Sequence, residues 1–112
     1  MVAMARVMVG LLAFALALAL APLYAMAQDE VVKGHRLAQA LCAQCHLNEG
    51  QGEKEGPMGI PGFGAVANRP GQTRDGIIAW LKSVPPMMPN HNLTQDEMYA
   101  LSAYIMSLRN RP

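Results

Sequence analysis

Cys42 and Cys45 are the only cysteines in this 112-residue chain, and His46 follows the second directly. The stretch "LCAQCH" constrains the fold more than any other, because each chemistry it could serve demands a different architecture. A redox dithiol of the thioredoxin kind needs its pair at a helix N-terminus in a βαβ setting. A disulfide across two intervening residues closes a tiny loop and stabilises little, even in an oxidising compartment. Zinc usually takes four side-chain ligands in a closed site. Two cysteines with His35, His46 and His91 supply enough donors, but Cys45 and His46 are adjacent, and no second pair stands at ligand spacing.

The N-terminus says where the chain goes. Val7 to Ala21 contains no charge and no polar side chain, Arg6 is the only cation before it, and Ala25-Met26-Ala27 has the small-x-small form of an export cleavage site. This pattern predicts a secretory signal peptide over residues 1–27. The alternative is an uncleaved anchor, because the 21 residues from Val7 to Ala27 reach the length that spans a bilayer. Removing 27 residues leaves 85, residues 28–112, expected to form one domain. Nine Lys/Arg less Arg6 then balance eight Asp/Glu. A nucleic-acid binder would need a basic patch, and none is visible.

An 85-residue domain is near the limit of what one apolar core stabilises. This one has a single Trp (Trp80), a single Phe (Phe63), two Tyr (Tyr99, Tyr104), nine Gly and seven Pro. Such a chain needs added apolar bulk at its centre. Three helices can be placed. The first spans about Asp29 to Cys45, with Val31, Gly34 or His35, Ala38 and Leu41 on one face. The second spans about Thr73 to Ser83, N-capped by Thr73, with a stripe of Ile77, Trp80 and Leu81. The third starts at the capping box Thr94/Glu97, with Leu93 and Met98 at the staple positions. Met98, Leu101, Ile105 and Leu108 continue its stripe, and Arg109 and Arg111 suit its C-terminus. Residues 48–64 and 83–92 hold too many helix breakers for regular structure. No alternating strand pattern occurs, so the expected fold class is all-α.

Covalent haem satisfies these constraints together. Cys-x-x-Cys-His is the attachment signature of c-type haem: the two thiols form thioethers along one porphyrin edge, and the histidine is brought beneath the iron. The macrocycle also supplies the missing apolar bulk. A haem iron held by histidine needs a sixth ligand for electron transfer, and methionine is a usual partner. Met98 and Met106 lie on the third helix and suit packing. Met58 lies in a Gly-rich loop. Met87 and Met88 lie in "PPMMPN", where proline stiffens the backbone. Neighbouring extended residues point in opposite directions, so only one of the pair can ligate, and spacing alone does not choose.

The chain from residue 28 resembles the class I small monohaem cytochromes c. "CAQCH" matches their attachment motif, and "MPNHNLTQDEMYALSAYIMSL" is similar to their Met-Pro loop and C-terminal helix. The resemblance implies that the ligand directly precedes Pro, which points to Met88. Gly34 matches the family's N-terminal-helix glycine, and Tyr104 the aromatic that packs against it. Ala38 departs from the pattern, standing where many members carry an aromatic. The family's proline carbonyl, which accepts a hydrogen bond from the ligand histidine, has two candidates, Pro57 and Pro61; the resemblance favours Pro61. Trp80 stands either as a propionate donor or as a core or interface aromatic. His91 is expected to be an exposed loop residue and His35 to face solvent. Asn68 and Arg69 could contact propionates or form an ordinary turn.

The resemblance implies an all-α cytochrome c fold, about three main helices around one covalently bound haem c, crossing near Gly34 and Tyr104. It implies a monomeric periplasmic one-electron carrier, not an enzyme, whose iron is ligated by His46 and Met88. Its partners would be redox proteins, such as a membrane oxidase or a periplasmic dehydrogenase, with no nucleic acid. Two alternatives remain: a dedicated haem subunit of a periplasmic dehydrogenase or sulfur-oxidising complex, and a haem-based gas sensor or peroxidase-like enzyme in which Met88 leaves the iron.

Overall fold

The computed structural model describes residues 1–46 and 59–111. Its elements are helical: α1 Val2–Leu37, which runs on through a π-helical turn Ala38–Cys42, then α2 Phe63–Ala67, α3 Arg74–Lys82 and α4 Gln95–Ser107. No strand occurs among the described residues, in agreement with the all-α expectation.

The first helix differs from its predicted bounds at both ends. It begins at Val2 and contains Pro22. The Ala/Leu-rich segment is a strong helix former, and nothing from Leu23 to Lys33 breaks it, so the apolar run and the domain helix form one rod. At the other end the α-helix stops at Leu37, and the wider π turn carries the chain to Cys42. Such turns hold an extra residue and are frequent at functional sites.

α1 crosses α4 at Gly34. A Cβ there would overlap the Ala100 carbonyl oxygen and lie 2.6 Å from its carbon and 2.7 Å from Tyr104 Cβ. Only glycine lets the two backbones approach this closely. Beside the crossing Tyr104 is buried, stacked on His35 at 4.8 Å between ring centroids and edge-on to Phe63 at 6.2 Å. His35 is therefore half-buried rather than solvent-facing. The buried Ala38 brings no ring of its own to Tyr104, and His35 and Phe63 flank it instead. Around them Ala67, Ile77, Leu101, Ile105 and Leu108 complete the core.

α3 starts as expected, with Thr73 Oγ1 accepting from the Gly76 amide at 3.0 Å. Its buried face is Ile77, Ile78 and half-buried Leu81, while Trp80 is 57 % exposed. At 3.6 residues per turn Trp80 lies roughly 100° from the centre of that face, so it leaves the predicted stripe, and the core alternative for its role falls. Arg74 pins α3 down: it donates to Glu30 Oε1 at 3.0 Å, the Tyr99 carbonyl at 3.1 Å and Ser102 Oγ at 3.3 Å. The capping box of α4 is closed both ways: the Glu97 amide donates to Thr94 Oγ1 at 3.2 Å and the Thr94 amide to Glu97 Oε2 at 2.8 Å.

α2 is an element the breaker count did not predict; its first two residues fall within the stretch read as irregular. The chain end ties back to it. Asn68 donates to the Gly64 carbonyl at 2.8 Å and accepts from the Asn110 amide at 3.0 Å, and Arg109 donates to the Gln72 carbonyl at 2.8 Å. The Asn68 amide thus serves the turn.

Candidate cofactor site

The π turn delivers Cys42 half-buried at the wall of a cleft, while Cys45 is exposed one turn later. The His46 amide donates to the Cys42 carbonyl at 2.8 Å, closing the motif into a compact turn. Both thiols are free. Burial, with a smaller effect of Cys45, pushes the Cys42 thiol up to about 11. A redox or nucleophilic cysteine needs the opposite, a thiolate stabilised near neutral pH. Among the described residues no three His, Cys, Asp or Glu side chains converge on a common point, as a closed zinc site requires.

His46 is half-buried and held on two sides. Its Nδ1 lies 2.7 Å from the Pro61 carbonyl oxygen. A carbonyl only accepts, so Nδ1 carries a proton, and in the neutral tautomer this leaves the lone pair on Nε2. This is the arrangement by which proteins orient a metal-binding imidazole. The ring also stacks on Phe63, with centroids 4.9 Å apart and planes 11° from parallel. Pro57, the other candidate acceptor, and Met58 lie outside the described residues.

The cleft, about 200 Å³, is walled by Leu41, Leu81, Leu93, Met98 and Leu101, with Cys42 and Met88 on its surface. Met87 and Met88 part company here. Met87 has φ +71° and is 99 % exposed, whereas Met88 is half-buried against the cleft. The left-handed residue reverses the local twist, so the two side chains diverge. Val84 is left-handed too, at φ +48°, an outlier for a β-branched side chain. The Met88 amide bonds the Pro85 carbonyl at 3.2 Å, which closes the turn between them. His91 is exposed at the rim, and Trp80 is exposed beside cleft-lining Leu81.

The donor set suits a flat apolar macrocycle with a central soft-to-borderline metal. The cleft offers an apolar wall free of carboxylates, the Met88 thioether and Cys42 at its edge; the His46 imidazole is held by Pro61 and Phe63 outside that lining. Residues 31–109 match the family described as cytochrome c. The chain belongs to the cytochrome c family. Among curated proteins it is similar to cytochrome c-552 of Bradyrhizobium diazoefficiens, 34 % identical over 76 residues, which cover 68 % of this chain and 72 % of that protein. No solved structure matches it significantly. As a cytochrome c the chain carries covalently bound haem c with its iron and serves as a haem electron carrier between redox partners. The family match begins at Val31, so most of α1 lies outside it.

Sequence reasoning missed one residue of the site, Phe63. Its signal was its place two residues after Pro61 and at the first position of α2.

Proposed function

We propose that this cytochrome is an exported, periplasmic one-electron carrier whose iron is bound by His46 Nε2 and Met88 Sδ, with Cys42 and Cys45 as the thioether anchors. The observation that carries this reading is the divergence of the methionine pair, which leaves Met88 against the cleft that Cys42 lines and Met87 in solvent. Bound haem iron supplies the ferrous–ferric couple. The chain's part would be to hold both donors, His46 and Met88, fixed in either state. The Pro61 carbonyl keeps the Nδ1 proton of His46 in place, and the Pro85–Met88 turn holds the thioether. Such a His/Met pair would raise the potential, and with both donors held in place no open position would be left for substrate. Trp80, exposed next to Leu81, would donate its indole N–H to a propionate. A membrane oxidase or a periplasmic dehydrogenase would take or give the electron through a small transient interface.

Residues 1–27 would direct export and be removed after Ala27. A second reading has its own observation: α1 runs unbroken from Val2 to Leu37, and none of its most apolar window is buried. Retained, it would anchor the domain to the membrane. Periplasmic fractions run on a denaturing gel and stained for haem test the first reading. Haem on a band whose intact mass starts at Gln28 is expected. Haem lost on denaturation would overturn the covalent attachment, and haem confined to membranes with an N-terminus at Met1 would replace the free carrier with the anchored form.

A further inference from the structure

We infer that Phe63 is a positioning residue for the iron ligand: it sets the plane of the His46 imidazole, a task the Pro61 hydrogen bond does not perform alone. This rests on His46 being the ligand. One hydrogen bond fixes where Nδ1 points but leaves the ring free to turn about the line from the carbonyl through the imidazole. A second contact must fix that rotation. Phe63 supplies it, lying nearly parallel to the imidazole, 11° between planes with centroids 4.9 Å apart.

Phe63 is itself immobilised. It is 5 % exposed, and Tyr104 meets its ring edge-on at 81°. Tyr104 in turn is clamped at the helix crossing by His35, stacked at 25°. Offset-stacked and edge-to-face pairs are the arrangements aromatic rings prefer. Four rings therefore run from the α1–α4 crossing to the ligand, each limiting the rotation of the next. Pro61 and Phe63 flank Gly62, the N-cap of α2, which is buried in extended backbone at φ −65°, ψ 158°. One three-residue segment thus sets both the direction of the imidazole and its plane. That plane determines which iron d orbital the ligand π system meets, and so the magnetic anisotropy of the ferric state.

The test uses the haem-loaded protein with Phe63→Leu, which keeps apolar bulk but removes the flat face, and Phe63→Tyr, which keeps the face. Phe63→Leu is expected to retain haem and low-spin absorption. Its ferric proton NMR spectrum should show a changed order and spread of haem-methyl resonances, and its low-temperature EPR a shifted largest g value. Phe63→Tyr should stay close to the parent. A Phe63→Leu protein with parental methyl order and g values would overturn the proposal. If Phe63→Leu fails to mature, the ferrous parent decides: nuclear Overhauser contacts between the Phe63 and His46 rings support the proposal, and their absence overturns it. Failure of the ligand reading looks different, because the parent would then lack hyperfine-shifted His46 ring protons before any substitution is made.

Discussion

Gly34→Ala tests the crossing on which the site is hung. The added Cβ would sit 2.6 Å and 2.7 Å from two carbons of α4 and overlap the Ala100 carbonyl oxygen. Carbon pairs rest at about 3.5–4.0 Å, so the helices must separate by roughly 1 Å. The obstacle is backbone and a Cβ, so no side chain can swing aside. A gap of about 0.5–1 Å forfeits a quarter to a half of the dispersion well along the seam, which includes Ala38, Leu101 and Tyr104. Overpacking of this kind costs about 1–3 kcal/mol, occasionally more, against a gain of about 1 kcal/mol when alanine replaces glycine inside a helix. Because the contact is with main chain, the net loss should be about 2 kcal/mol, near the upper end of that balance. In a domain of this size that lowers the melting temperature by about 8–16 °C. Thermal unfolding of the ferric holoprotein, followed by far-ultraviolet circular dichroism, reads the shift. A variant as stable as the parent, or more stable, would show that only helix propensity changed and that the helices do not touch at Gly34.

Two further outcomes follow from the contacts. Thr94→Ala opens the capping box of α4 and should cost about 1 kcal/mol, seen as a lower urea midpoint with unchanged slope. Arg74→Ala should cost about 1 kcal/mol through the lost hydrogen bonds to Tyr99 and Ser102. Its coupling to Glu30→Ala in a double-mutant cycle should be no more than about 0.5 kcal/mol and should shrink with salt, because both side chains are substantially exposed, at 44 % and 35 %. A coupling well above 1 kcal/mol would mean that this ion pair is far better shielded than it looks.

What the sequence made legible was what depends on spacing. The capping box and the Thr73 cap rest on residues a few positions apart, whereas the crossing at Gly34 and Tyr104 was legible only through the family resemblance. The three-helix, all-α reading therefore held in outline. Rotation about a helix axis was harder. Trp80 and Leu81 are adjacent, and only the packing of α3 on α4 decides which one the core takes. His35 was misjudged for a related reason: whether a helix residue meets an aromatic on another helix depends on the crossing, not on its own periodicity. Composition marks residues 1–27 off from the rest but says nothing against their helix continuing into the domain, because both segments favour the same backbone. Phe63 was legible only as the aromatic two residues after Pro61; its stacking on His46, 17 positions away across residues without periodicity, was not. The choice between Met87 and Met88 needed the family resemblance, because only backbone twist at Met87 distinguishes their directions.

The most direct measurement is the absorption spectrum of the ferric Met88→Ala holoprotein beside that of Met87→Ala. With Met88 as the sixth ligand, Met88→Ala should pass from low-spin to high-spin iron and bind added imidazole or cyanide readily, while Met87→Ala stays low-spin like the parent. A low-spin, unreactive Met88→Ala protein, with the change appearing in Met87→Ala instead, would contradict the account at its centre.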